Sequence, residues 1–214
     1  MRSLLAALLA SPTLLLAAEV GYPLDHAPID PRDLVSLQSG ARTFVNYCLG
    51  CHGLQYMRYN RLTDLGLAEA QIRDNLMFSA EKVGETMKIA MTVQEGKAWF
   101  GVPPPDLSVV SRSRGADWIY TYLRTFHRDP KAAHGWNNMV FPNAAMPHAL
   151  WKVQAEQSAV QYDATVRDLV NFLVYVGEPS AQSRKSIGIV VLFVLGVLFI
   201  LAYAMKKAFW KDVR

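Results

Sequence analysis

From Ile187 to Ala204 the chain runs for 18 residues without a charged side chain. As a helix rising ~1.5 Å per residue the run is about 27 Å long, close to the ~30 Å hydrocarbon core of a bilayer. A buried core helix of this length almost always shows a polar face, and this run has none. It predicts a transmembrane helix over 184–205, so the chain divides into an anchor and a folded body. Lys206, Lys207, Lys211 and Arg214 follow the run, against Arg184 and Lys185 before it, which puts the expected tail 206–214 in the cytoplasm and the body outside. The other end predicts the same orientation. Met1-Arg2, a mostly apolar stretch from Leu4 to Ala18 and the small pair Ala17-Ala18 read as a signal peptide over 1–18.

Between these segments, 19–183 is long enough for one domain with a sizeable core. Seven of the 22 basic residues lie outside it, leaving 15 basic against 17 acidic, net −2, which argues against a nucleic-acid surface. Asp30-Pro31-Arg32-Asp33 reads as a helix start with Asp30 as the cap, and Leu34, Leu37, Ala41, Phe44, Val45 and Cys48 then recur at spacings of three and four. Ala116 to Arg128 and Asp163 to Val176 repeat the pattern, the latter ended by Gly177 and Pro179. Loops rich in Pro and Gly separate the helices, notably 101–105 and 135–147, and no alternating strand run is evident. The expected class is mainly α, with long inserted loops and one C-terminal transmembrane helix.

The chain has two cysteines, Cys48 and Cys51, in Cys48-Leu49-Gly50-Cys51-His52. C-x-x-C-H is the attachment pattern of c-type haem. One helical turn sets both sulfurs on one side, where each can add to a vinyl group of the same porphyrin, and the next imidazole can face the iron. A thioredoxin-like C-x-x-C would need a βαβ setting, and a zinc site would need more ligands than two cysteines and scattered histidines supply. An electron-carrying haem needs a sixth ligand, His or Met. Met57, Met77, Met87 and Met91 lie in helical or near-helical contexts suited to core packing. Met139 and Met146 lie in the loop Trp136 to His148, where Ala144 and Ala145 allow close approach and Pro142 and Pro147 stiffen the chain. Met146 is the leading candidate, with Met139 and His148 as rivals. Arg112 and Arg114 are candidate partners for haem propionates, and Trp99, Trp118, Trp136 and Phe141 either wall a haem or fill core.

Asn46 to His52, Met57-Arg58-Tyr59-Asn60-Arg61, Pro104-Pro105-Asp106-Leu107-Ser108, Trp136-Asn137-Asn138 and Phe141-Pro142 to Met146-Pro147, followed by one apolar span, together resemble the cytochrome c1 family over residues 21 to 210. The resemblance implies a cytochrome-c-like haem domain over 19–183 with one covalent haem c. It implies His52 and Met146 as axial ligands and haem contacts from Pro105, Arg114 and Phe141. Trp118 stands where the family often has a tyrosine near a propionate. The strongly acidic segments of mitochondrial members are missing.

The implied function is that of the electron-transfer subunit of the bacterial ubiquinol:cytochrome c oxidoreductase (bc1 complex). It would sit in the inner membrane with its haem domain in the periplasm. Its partners would be cytochrome b, the Rieske iron–sulfur protein, the lipid bilayer and a cytochrome c or membrane-bound c-type acceptor. No catalytic side chain is expected beyond electron transfer. The alternatives are a membrane-anchored cytochrome c serving a terminal oxidase or reductase, a peroxidase-type haem enzyme with a distal acid–base group, and an assembly protein with an empty motif.

Overall fold

The computed structural model describes residues 21–89 and 91–212, so the signal-peptide reading of 1–18 lies outside the described residues. Two helices form the frame, α1 (Leu34–Tyr47) and α7 (Ala159–Gly177). Leu37, Ala41, Phe44 and Val45 of α1 and Val166, Leu169, Val170, Phe172 and Leu173 of α7 are all buried. The rings of Phe44 and Phe172 meet at 5.9 Å. Gly40 sets the closeness of the crossing. A Cβ there would overlap the Asp168 carbonyl and lie 2.7 Å from the Phe172 Cβ, so a side chain would force the helices apart.

The cap of α1 differs from the sequence expectation. Asp30 turns its carboxylate back to accept from the Arg32 N–H at 2.9 Å. Asp33 caps the helix by accepting from the Ser36 N–H at 3.1 Å, and Pro31 lies in the preceding turn. At the other end α7 starts earlier than expected. Ser158 accepts from the Gln161 N–H while the Gln161 side chain accepts from the Ser158 N–H, the reciprocal cap that Ser-x-x-Gln encodes.

Between them lie β1 (Leu54–Arg58), a 3-10 helix (Tyr59–Leu65), α2 (Glu69–Asn75), β2 (Thr86–Met87), α3 (Val93–Phe100), α4 (Val110–Ser113) and α5 (Ala116–Arg124). Next come β3 (Phe126–Arg128), β4 (Trp136–Asn138) and α6 (Trp151–Glu156). The two antiparallel ribbons, β1 with β2 and β3 with β4, were not expected. The pairing of Phe126 with Asn138 and Arg128 with Trp136 ends α5 four residues before Arg128. Arg124 fixes α5 to α7 by holding the Asp163 carboxylate at 2.6 and 3.0 Å and reaching Asp25 at 2.6 Å. The domain remains mainly α, as the sequence implies.

Helix α8 (Ala181–Phe209) continues from α7 after a short break. Its segment Ser183–Phe209 has a mean hydropathy of 2.9 and none of its most apolar stretch is buried against the domain. By length and composition it is able to cross a membrane.

Candidate functional site

Helix α1 ends in the motif, and its last turn continues through backbone bonds. The Cys48 N–H donates to the Phe44 carbonyl, and the Cys51 and His52 N–H groups donate to the Cys48 carbonyl at 2.9 and 2.8 Å. This curl aims Cys48, Cys51 and His52 into one cleft. The cleft's other walls are Phe100, the segment Val102 to Pro105, and Ala145, Met146, Pro147 and Ala149. Residues almost a hundred positions apart in sequence, Cys48 and Met146, thus line the same space.

The segment 102–105 is held from both sides. Behind it, Gly96 of α3 lets the prolines approach; a Cβ at that position would lie 2.8 Å from Pro104 Cδ. Beyond it, the Asp106 carboxylate accepts from the Gln55 and Ser108 N–H groups, each at 2.9 Å, and the Leu107 N–H donates to the Gly53 carbonyl. Pro105 is thereby fixed beside the motif, and its carbonyl accepts from His52 Nδ1 at 2.8 Å. A carbonyl only accepts, so Nδ1 carries the proton and Nε2 keeps its lone pair, the state that a metal-binding imidazole needs. Burial lowers the His52 pKa, which favours the same neutral form. Burial, followed by the nearby Cys51, pushes the Cys48 thiol up to about 12, and burial raises Cys51 as well. A disulfide-exchange motif wants the opposite, a thiolate at low pKa. Among the described residues no three His, Cys, Asp or Glu side chains gather as a metal site. The residues present fit a covalently held haem.

The candidate sixth ligands separate. Met146 lines the cleft. Met139 is about half exposed and does not line it. His148 is buried, with its ring stacked on Phe126 at 4.9 Å and Nε2 2.7 Å from Gln154 Oε1, a role in the core rather than in the cleft. Met57 and Met87 are fully buried core residues.

The remaining candidates are dispersed. Arg114 lies over the Trp118 ring at 5.0 Å, and Trp118 meets Phe141 edge-on at 6.5 Å. This group joins the cleft through Tyr122, which stacks on Trp118 and bonds Met146. Arg112, paired in sequence reasoning with Arg114, is elsewhere. It forms an ion pair with Glu178 and lines a separate cleft at the junction of α7 and α8, so it is not beside the motif. Trp99 is largely exposed, and Trp136 packs on His148 with Arg128 over its ring.

Sequence reasoning missed what holds the Met146 loop. Asn138 is buried, donates to the Tyr122 carbonyl at 2.7 Å, and accepts from the Val140 and Phe141 N–H groups. Asn137 accepts from the Asn143 N–H at 2.8 Å. The Asn137-Asn138 pair after a tryptophan is the signal, since adjacent amides in a loop suggest backbone substitutes.

The sequence profile of the Cytochrome C1 family matches residues 26–213. This chain belongs to the cytochrome c1 family. The cytochrome c1 of Allochromatium vinosum is 47% identical over the whole of both chains. A protein of Nitrosomonas europaea named ammonia monooxygenase gamma subunit is 45% identical, covering 98% of this chain and 97% of its own. A mitochondrial cytochrome c1 haem protein of Solanum tuberosum is 26% identical over 90% of this chain and 85% of its own. Membership implies a haem cofactor, electron transport and a place in the bc1 complex.

Proposed function

We propose that this chain is the electron-transfer subunit of a bacterial bc1 complex. It carries one haem c and passes electrons from the Rieske iron–sulfur protein to a soluble or membrane-bound c-type cytochrome. The observation that carries this reading is the single cleft shared by Cys48, Cys51, His52 and Met146, with His52 Nδ1 already engaged by the Pro105 carbonyl.

A haem bound there supplies reversible one-electron exchange at its iron. Cys48 and Cys51 would hold it through thioethers, and His52 Nε2 and Met146 Sδ would be the iron ligands. Met ligation together with the apolar walls Phe100, Val102 and Pro103 to Pro105 favours the less charged ferrous state and so a high potential. Among the described residues, no Asp, Glu, Lys or Arg lines the cleft and His52 is its only histidine. A peroxidase-type reading would need a distal acid–base group.

The anchor is α8, with the haem domain in the periplasm and the lysine-rich tail in the cytoplasm, as the flanking charges favour. Cytochrome b is the expected neighbour in the membrane. The test is purification from membranes in mild detergent, followed by quinol addition. Cytochrome b should co-purify, and the c-type haem should become reduced. A c-type haem that purifies without b haems and stays oxidised with quinol would overturn the assignment to this complex.

A further inference from the structure

Beside the cleft lies a polar contact that the ligand set does not use. Tyr122, on α5, directs its hydroxyl to Met146 Sδ at 3.5 Å. Its ring has little freedom. It lies parallel to Trp118, at 4.9 Å and 10°, and edge-on to Phe126 at 5.0 Å. Its carbonyl accepts from Asn138 Nδ2, the side chain that also binds the first residues of the Met146 loop. Ring, hydroxyl and loop are therefore fixed to one another.

We propose that Tyr122 is a positioning residue that sets the reduction potential by donating a hydrogen bond to the sulfur of Met146. The inference rests on the reading of Met146 as iron ligand. A thioether sulfur has two lone pairs, one for a metal and one to accept a weak hydrogen bond. A donor on the second withdraws density from the sulfur and weakens its support of ferric iron more than of ferrous iron. The positive end of the O–H dipole, turned toward the sulfur, acts in the same direction. Both effects favour the reduced state. The contact also limits the rotation of the Met146 side chain, which keeps the sulfur in place during oxidation.

Tyr122→Phe removes the hydroxyl and keeps the ring between Trp118 and Phe126. In the haem-loaded full-length protein it should shift the redox equilibrium about threefold toward the oxidised form. That is roughly 30 mV, taking 59 mV per tenfold for one electron. The sulfur-to-iron charge-transfer band should persist at an altered position. The decisive comparison is a double-mutant cycle. In a Met146→Lys background an amine bound to iron has no lone pair left to accept, so Tyr122→Phe should shift the potential by much less than it does in the parent. An unaltered potential in the single variant, or an equal shift in both backgrounds, would overturn the proposal. The failure of the underlying reading is distinct: Met146→Leu would then leave the charge-transfer band intact.

Discussion

Gly40→Ala is a test in which two general effects have opposite signs. Alanine in place of glycine inside a helix gains about 1 kcal/mol from propensity alone. Against this, the new methyl would overlap the Asp168 carbonyl and sit 2.7 Å from Phe172 Cβ, where ordinary contacts begin at 3.4 Å. The obstructing atoms are helix backbone and a Cβ, which cannot rotate away, so α1 and α7 must separate along a tightly packed seam. Overpacking of this kind costs about 1–3 kcal/mol, and an immobile obstacle places it near the upper end. The net expectation is a loss of about 2 kcal/mol. Because α1 delivers Cys48 to His52 to the cleft, the displacement should also loosen the haem site. Guanidinium unfolding of the haem-loaded protein in detergent, followed by the far-ultraviolet helix signal and by the haem spectrum, measures both. The midpoint should fall with little change in slope. A midpoint equal to or above that of the parent would refute the packing argument and leave propensity in control.

Other expectations follow from the site. Cys48→Ala and Cys51→Ala should each weaken or abolish the haem band on a denaturing gel, since each sulfur supplies one bond; full-strength bands in both would refute attachment here. Asp106→Ala removes two bonds that its carboxylate accepts from backbone N–H groups, one exposed and one part-buried, about 1–3 kcal/mol together. It should free Pro105 from His52, lowering the unfolding midpoint and raising access of exogenous imidazole to the iron; unchanged access would refute that coupling. Burial holds His148 below its ordinary 6.5, so the unfolded chain takes up a proton first. Its contribution is complete above 6.5 and is lost as pH falls through the folded value, so stability should decline below 6.5, and less steeply in His148→Gln. Equal slopes in parent and variant would contradict this.

What the sequence revealed, and what it concealed, follows the distance over which each feature is encoded. Cys48 to His52 is written within five consecutive residues, and the anchor within one run. The helical faces of α1 and α7 were legible from periodicity because their buried residues repeat along a single segment. Ser158 and Gln161 could have located the start of α7, since that cap is local too. By contrast, the bond from His52 to the Pro105 carbonyl joins positions 53 apart and uses a backbone atom that no side-chain pattern announces. The ribbons are two to five residues long, too short for a period of two to register. Arg112 and Arg114 are adjacent in pattern but not in role, because the turn of α4 sends one to Glu178 and the other to Trp118.

The central claim, that iron is held between His52 and Met146, is tested most directly by the sulfur-to-iron charge-transfer band in Met146→Leu and Met139→Leu. Leucine roughly conserves methionine's volume, so packing is spared. Met146→Leu should remove the band, lower the potential and open the iron to exogenous ligands, whereas Met139→Leu, at a half-exposed position away from the cleft, should change none of these. Loss of the band in Met139→Leu with band and potential intact in Met146→Leu would contradict the account.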